Sequence, residues 1–325
     1  MKILVRLPNW LGDMVMATAF VEGLHTFYPN SEIHAIIKKE ISALAALIPH
    51  IHTIHPFSKK EFKGLAGVYH FGKNLKTENF DLFFTLPDSF SSALIGWASN
   101  SKKRIGFKKE GRSFLLTDTY QKPKALHRVD EYISLLEQFA KQALKTKTVA
   151  LSVGRKNVSK NILLINFNSE AESRRMPVIK ARQITITLLN KFPEIKIGFL
   201  GTPNETPFIN TIISGLNNQE RIINFAGKTT LVELTDLIAD AKAVLSTDSG
   251  PAHLTNSIGT PLVIIFGAGN EFNTAPYNKN NLHIVRLGQL PCEPCVKNTC
   301  IFGSPKCLEL LENQKLIEPL SLYLN

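Results

Sequence analysis

Short apolar runs, rich in β-branched residues and apolar on both faces, recur along this chain and alternate with segments of helical period. "KILVRL" (Lys2–Leu7) precedes an amphipathic stretch over Leu11–Phe27; "EIHAIIK" precedes a short helix near Ile41–Leu47; "FDLFFTL" (Phe80–Leu86) precedes a helix near Ser89–Ala98. A strand without a polar face must be covered on both sides, which a parallel sheet flanked by helices provides. The series starts afresh with "NILLINF" (Asn161–Phe167), a helix near Val178–Lys191, "IKIGFL" (Ile195–Leu200), a helix near Leu231–Ala241, "KAVLST" and "PLVIIFG". Between the two series lie a helix-period segment, Leu126–Leu144, and the polar "SVGRKNVSK" (Ser152–Lys160), which reads as a linker. The pattern predicts an α/β chain of two doubly wound, Rossmann-like parallel-sheet domains, residues 1–152 and 153–325, facing a cleft. A length of 325 residues leaves room for both cores.

No segment approaches the roughly 18 uncharged apolar residues of a membrane span. The apolar run of "MKILVRLPNW" is too short for a signal-peptide core and is interrupted by Arg6, so a cytoplasmic location is expected. The formal charge of +11 suggests an acidic partner. Its distribution is uneven: residues 1–150 hold 21 lysines and arginines against 13 acids, net +8, whereas the remainder is net +3. A nucleic-acid partner is disfavoured, because few aromatics interleave the basic runs "SKKR" and "FKKEGR".

In open α/β sheets, ligands sit beyond the carboxyl ends of the strands, so the residues after each apolar run are the candidates. "VLSTDSGPAHL" (Val244–Leu254) ends a strand in Asp248-Ser249-Gly250-Pro251. Pro251 suits a first helical position and Ser249 or Gly250 a cap, yet the same helix start presents free N–H groups and a positive dipole to a phosphate. "FGAGN" (Phe266–Asn270) has glycines that would let a ligand approach the backbone, but lacks the third glycine of a dinucleotide fingerprint. "AGKTT" (Ala226–Thr230) is no P-loop, since Ile222 stands where glycine is needed; Thr230 and Glu233 instead form a capping box. Gly12-Asp13 falls where the first strand turns into the first helix. Asp13 is either a residue favoured by the helix dipole or a general base, and the helix end is expected to depress its pKa. Arg174 and Arg175 in "ESRRMP" either grip a diphosphate through forked donors or form a solvated pair.

Cys292, Cys295, Cys300 and Cys307 share one window with spacing C-x2-C-x4-C-x6-C. A structural zinc site, a redox-labile disulfide and free thiols all stay open, since the last two gaps are not those of a zinc ribbon. His50, His52 and His55 have no neighbouring carboxylate or cysteine in sequence and read as strand and loop residues.

Together, "LPNWLGDMVMAT", "LPDSFSSALIGWASNSKKRIGF" (Leu86–Phe107), "FAGKTTLVELTDLIADAKAVLSTDSGPAHLTNSIGTPLVIIFG" (Phe225–Gly267) and "CEPCVKNTC" resemble glycosyltransferase family 9, the ADP-heptose:lipopolysaccharide heptosyltransferases. The resemblance spans nearly the whole chain. It implies a GT-B fold with acceptor on the first domain and nucleotide-sugar on the second, and a metal-independent, inverting transfer from ADP-L-glycero-D-manno-heptose with no cofactor. It implies Asp13 as base, and Arg174, Arg175, Thr247, Asp248, Ser249, Gly250, His253, Gly227 and Lys228 at the donor. Asn9, Gly12 and Ser89 would meet the acceptor, a lipid-linked inner-core oligosaccharide. The basic first half would suit an anionic membrane surface at the inner face of the inner membrane. A rival member would keep the fold and change the acceptor or sugar. One segment departs from the family pattern: a Pro-Gly-Ala-rich turn and a Lys-x-Trp-Pro element are replaced here by "NFNSEAESRRMP" (Asn166–Pro177), leaving the donor contacts of that loop open.

Overall fold

The computed structural model describes residues 1–109, 111–154 and 160–325. Residues 155–159, in the middle of the expected linker, and Glu110 of "FKKEGR" lie outside them. Contacts between Cα atoms separate the chain into two compact units, Met1–Ser152 and Val153–Asn325.

In the first unit, strands β1 (Lys2–Arg6), β2 (Glu32–Lys38), β3 (Ile51–Phe57), β4 (Leu82–Thr85), β5 (Lys103–Phe107) and β6 (Asp118–Tyr120) pair in parallel in the order β3-β2-β1-β4-β5-β6. Its helices are α1 (Leu11–Met16), α2 (Thr18–Phe27), α3 (Gly64–Asn74), α4 (Phe90–Ala98) and α5 (Arg128–Ala140). The second unit repeats the plan with β7 (Lys160–Asn166), β8 (Lys196–Phe199), β9 (Ile222–Asn224), β10 (Ala241–Thr247), β11 (Leu262–Phe266) and β12 (Leu282–Arg286), ordered β12-β11-β10-β7-β8-β9. Around them lie α6 (Val178–Lys191), α7 (Thr206–Ile213), α8 (Leu231–Asp240), α9 (Gly250–Ile258), α10 (Glu271–Thr274), α11 (Lys306–Glu309) and α12 (Gln314–Leu324). In each unit the first and fourth strands are neighbours, so the strand order reverses between β1 and β4 and between β7 and β10. Adjacent crossovers leave on opposite faces there, opening a crevice at the carboxyl ends.

Central strands are buried on both faces, as in β11, whose five residues are all buried. In the first unit Leu4, Ile36 and Phe83 of the sheet, with Phe80 just before β4, pack on Phe71, Ala93 and Ile95 of the helices. In the second, Leu163, Ile165, Val263 and Ile265 meet Ile184, Leu188, Ile209 and, from α12, Leu316, Ile317 and Leu320.

Local boundaries depart from the sequence pattern for identifiable reasons. The stretch Leu11–Phe27 is broken at Ala17, where the Thr18 hydroxyl bonds back to the Val15 carbonyl at 2.8 Å. Lys39–Leu47 is a 3₁₀ helix. The fifth helix is shorter than Leu126–Leu144, being capped by the His127 ring and ended by Lys141 in the left-handed conformation. Of the expected linker, Ser152 is tied to the Leu47 carbonyl at 2.7 Å and Lys160 already belongs to β7.

Candidate active site

In the first unit the carboxyl ends of β1 and β4 carry Asn9, Gly12, Asp13 and Ser89. Asp13 lies in the first turn of α1, whose N-cap, Trp10, makes no side-chain capping bond. Its carboxylate is partly exposed at 28% and is held from α5: Arg128 Nε stands 3.5 Å from Oδ1, and the Tyr132 hydroxyl donates to the same oxygen at 3.5 Å. The helix end argues for a depressed pKa, but the structure shows the reverse. Burial raises it, while Arg128, the Tyr132 hydrogen bond and Lys122 pull it down and Glu131 pushes it up again. A carboxylate above its ordinary value is a better proton acceptor than the sequence position suggests. Tyr132 is itself held well above its ordinary pKa by burial and by Asp13, so it remains a donor.

A chain of alternating charges runs on from this carboxylate. Arg128 meets Glu131 at 3.0 Å, Glu131 meets Lys122 at 2.9 Å, Lys122 meets Asp88 at 2.7 Å, and Asp88 meets Arg112 at 3.2 Å. Arg112 is fully buried and donates to the carbonyls of Pro87 (2.6 Å) and Phe107 (2.8 Å), which fixes the loop before α4. At that loop Ser89 caps α4, accepting from the Ser92 amide at 3.2 Å. Arg6 and Arg112 escape sequence reasoning as site-forming residues; the available signal is a charge inside an otherwise apolar run, which Arg6 displays.

In the second unit, β7 and β10 bring together two asparagines and the Thr247–Gly250 turn. Asn166 Nδ2 donates to the Ser249 hydroxyl at 2.8 Å and to the Asn168 carbonyl at 3.1 Å; Asn168 Nδ2 donates to the Leu200 carbonyl at 2.7 Å. Thr247 Oγ1 donates to the Asn168 carbonyl at 2.7 Å, and Ser249 Oγ to the Thr247 carbonyl at 2.9 Å. Ser249 is the N-cap residue of α9, but its hydroxyl is spent on this turn rather than on the helix. Pro251 takes a first-turn position of α9. Arg174 NH1 stands 3.3 Å from Oδ2 of the buried Asp248. The neighbouring Arg175 goes elsewhere, to the Ser169 carbonyl at 3.0 Å and the face of Phe208, so the two guanidinium groups are not a single fork.

Two neighbouring loops take their shape from contacts within the unit. The glycines of "FGAGN" make room for neighbouring side chains: a Cβ on Gly269 would sit 2.2 Å from Asp248 Oδ2, and one on Gly267 2.9 Å from Cys307 Sγ. Arg286 holds that loop by donating to the carbonyls of Gly267 (2.8 Å) and Gly269. Thr230 and Glu233 form the capping box of α8, while Gly227 and Lys228 lie exposed just before it. Gly227 is tied to the segment after β8, its amide donating to the Gly201 carbonyl at 3.0 Å. His253 is buried within α9.

The cysteine-rich segment braces this site. The Val296 amide donates to the Ala268 carbonyl at 2.8 Å, and the Asn298 carbonyl accepts from the Ser173 amide at 3.0 Å, so the segment supports both the glycine loop and the loop of Arg174. The four cysteines are free thiols lining one cavity of about 20 Å³. Burial pushes the Cys307 thiol up to about 11, with Glu293 and the other three thiols adding to the shift. Among the described residues no three His, Cys, Asp or Glu side chains are placed to hold a metal ion, and no helix is long and apolar enough to cross a membrane.

Two doubly wound six-stranded units with their polar sites at the switch points define a glycosyltransferase fold of the GT-B type. The ADP-heptose lipopolysaccharide heptosyltransferase II of Escherichia coli superposes on this chain with a TM-score of 0.85 at 23% identity, covering 100% of this chain and 98% of that one. The chain belongs to glycosyltransferase family 9 (heptosyltransferase), whose family model matches residues 68–305. It is 30% identical over 316 residues to a lipooligosaccharide heptosyltransferase 2 of Haemophilus ducreyi, covering 88% of this chain and 89% of that protein. A lipooligosaccharide heptosyltransferase 2 of Campylobacter jejuni is 27% identical over 320 residues, 98% of each chain.

Proposed function

We propose that the chain transfers L-glycero-D-manno-heptose from ADP-heptose to a heptose of a lipopolysaccharide inner core, with inversion and without a metal. The observation that carries the reading is Asp13: a carboxylate at the carboxyl end of β1, steered by Arg128 and Tyr132 and raised in basicity by burial. In this reading Asp13 accepts the proton of the acceptor hydroxyl as its oxygen attacks the anomeric carbon. The bond from that carbon to the β-phosphate oxygen breaks on the opposite face, and the electron pair leaves with ADP. Arg174 and the positive end of the α9 dipole take up the charge growing on the diphosphate. Thr247, Asp248, Ser249, Gly250 and His253 hold the donor, with Arg175, Gly227 and Lys228 around it. Asn9, Gly12 and Ser89 face the acceptor. The working location is the cytoplasmic face of the inner membrane, as a peripheral protein.

The names of the relatives support this choice of donor and acceptor. The test is turnover of ADP-heptose on inner-core acceptors carrying zero or one heptose, with and without a chelator. Transfer only to the acceptor with one heptose, undiminished by the chelator, is expected. Transfer to the heptose-free acceptor alone, or preference for another nucleotide-sugar, would assign the chain to a different specificity within the family.

A further inference from the structure

Beyond the ends of β1 and β4 the first unit holds a cavity of about 290 Å³, lined among others by Arg6, Asn9, Lys59, Ser89, Ser92 and Lys109. Arg6 is 2% exposed. Its NH1 donates to the carbonyls of Leu7 (2.8 Å) and Ile36 (3.1 Å), its NH2 to Asn9 Oδ1, and its plane rests on the Phe57 ring. These partners are all neutral, Nε has no hydrogen-bond partner, and among the described residues Arg6 makes no ion pair. Burial alone lowers its pKa to about 10. A buried cation without a counter-charge is strongly unfavourable. Arg112, equally buried at the same rim, is paired with Asp88. Asp88 is the carboxylate among the described lining residues, and Arg112 and Lys122 already neutralise it. Among the described lining residues Arg6, Lys59 and Lys109 thus leave an excess of positive charge. Ser89, Ser91 and Ser92 add hydroxyls at the start of the nine-residue α4, where the helix dipole also favours an anion.

We propose that this cavity is an oxyanion subsite, in which a carboxylate or phosphate ester carried by the saccharide acceptor docks on the Arg6 guanidinium. The carrier rests on the proposed function; the anion preference does not. Arg6 and Asp13 flank one strand-to-helix turn, and the charge chain from Asp88 to Arg128 links the rim of the cavity to Asp13. An acceptor anchored by its acidic group is therefore held beside the proposed base.

The test has two arms. Inorganic phosphate is titrated at constant ionic strength into the full-length, ¹⁵N-labelled protein. Saturable shifts of the Ser91 and Ser92 amides are expected, weakened about ten- to a hundredfold in Arg6→Gln, as for a lost charged hydrogen bond. Should Arg6→Gln not fold, Lys59→Ala with Lys109→Ala gives the same readout, weakened several-fold. Shifts that follow ionic strength alone, or that persist unchanged in these variants, overturn the subsite. In turnover, Arg6→Gln raises KM for an acidic acceptor about ten- to a hundredfold and leaves the donor KM unchanged. Acceptors with the carboxylate reduced or the phosphate removed show which group docks; if neither change alters the wild-type KM, the acceptor assignment is wrong. Absence of any heptosyl transfer with phosphate binding intact would sink the proposed function and leave the subsite standing.

Discussion

Asp13, as the proposed base, pulls on stability and activity in opposite directions. Its folded pKa lies above the ordinary 3.8, so the native state binds the proton more tightly than the unfolded chain does. Stability from this group is therefore present at low pH and lost as pH rises through the folded value. Asp13→Asn should cut kcat by about 10²–10⁴ while leaving Tm at pH 7 unchanged or higher, with the gain vanishing near pH 4. A Tm lowered at pH 7 with kcat intact would return Asp13 to a structural role. In the wild type, the acid limb of kcat/KM should lie above the usual aspartate range. Gly269 is the second residue whose part is legible only in three dimensions. Gly269→Ala places a Cβ against the Asp248 carboxylate and should swing it off Arg174, raising the donor KM roughly tenfold while the thermal transition stays cooperative.

The second unit carries two helix starts of similar appearance that do different work. The one at Thr230 is a completed capping box: the Glu233 amide donates to Thr230 Oγ1 at 3.2 Å and the Thr230 amide to Glu233 Oε2 at 2.7 Å. Its donors are satisfied within the helix. The start of α9 is different, since Ser249 turns its hydroxyl toward Asn166 and the Thr247 carbonyl instead of capping. Thr230→Ala should therefore lower stability by about 1 kcal/mol and leave the donor KM unchanged, whereas Ser249→Ala should act mainly on the donor KM. Calorimetry beside initial-rate kinetics separates the two. The capping box is visible in the spacing T-x-x-E; the alternative use of Ser249 is not, because Asn166 lies 83 residues away.

Charge is a property of the whole molecule, and here it is concentrated: residues 1–150 carry net +8 of the total +11. Full-length protein should co-sediment with vesicles containing anionic lipid and not with neutral ones, and lose that association as salt shortens the screening length. Equal partition to both vesicles would remove the membrane from the reading. The alternation of two-faced apolar runs with helical segments was enough to establish two parallel-sheet series, because strand burial and helical period are written in local residue order. The motifs at Asp13 and Thr247–Gly250 were legible for the same reason: each occupies one strand-to-helix turn. The edge strands β3, β6 and β9 and the C-terminal α12 left no comparable periodic signal, being short, half-polar or defined by the core they cover. Only the tertiary structure decided that burial raises rather than depresses the pKa of Asp13, that Arg174 and Arg175 part company, that Gly269 accommodates Asp248 and that Arg6 stands buried with no counter-charge among the described residues. Each of these depends on desolvation and on neighbours brought from distant strands, and neither quantity is carried by the order of residues along a single segment.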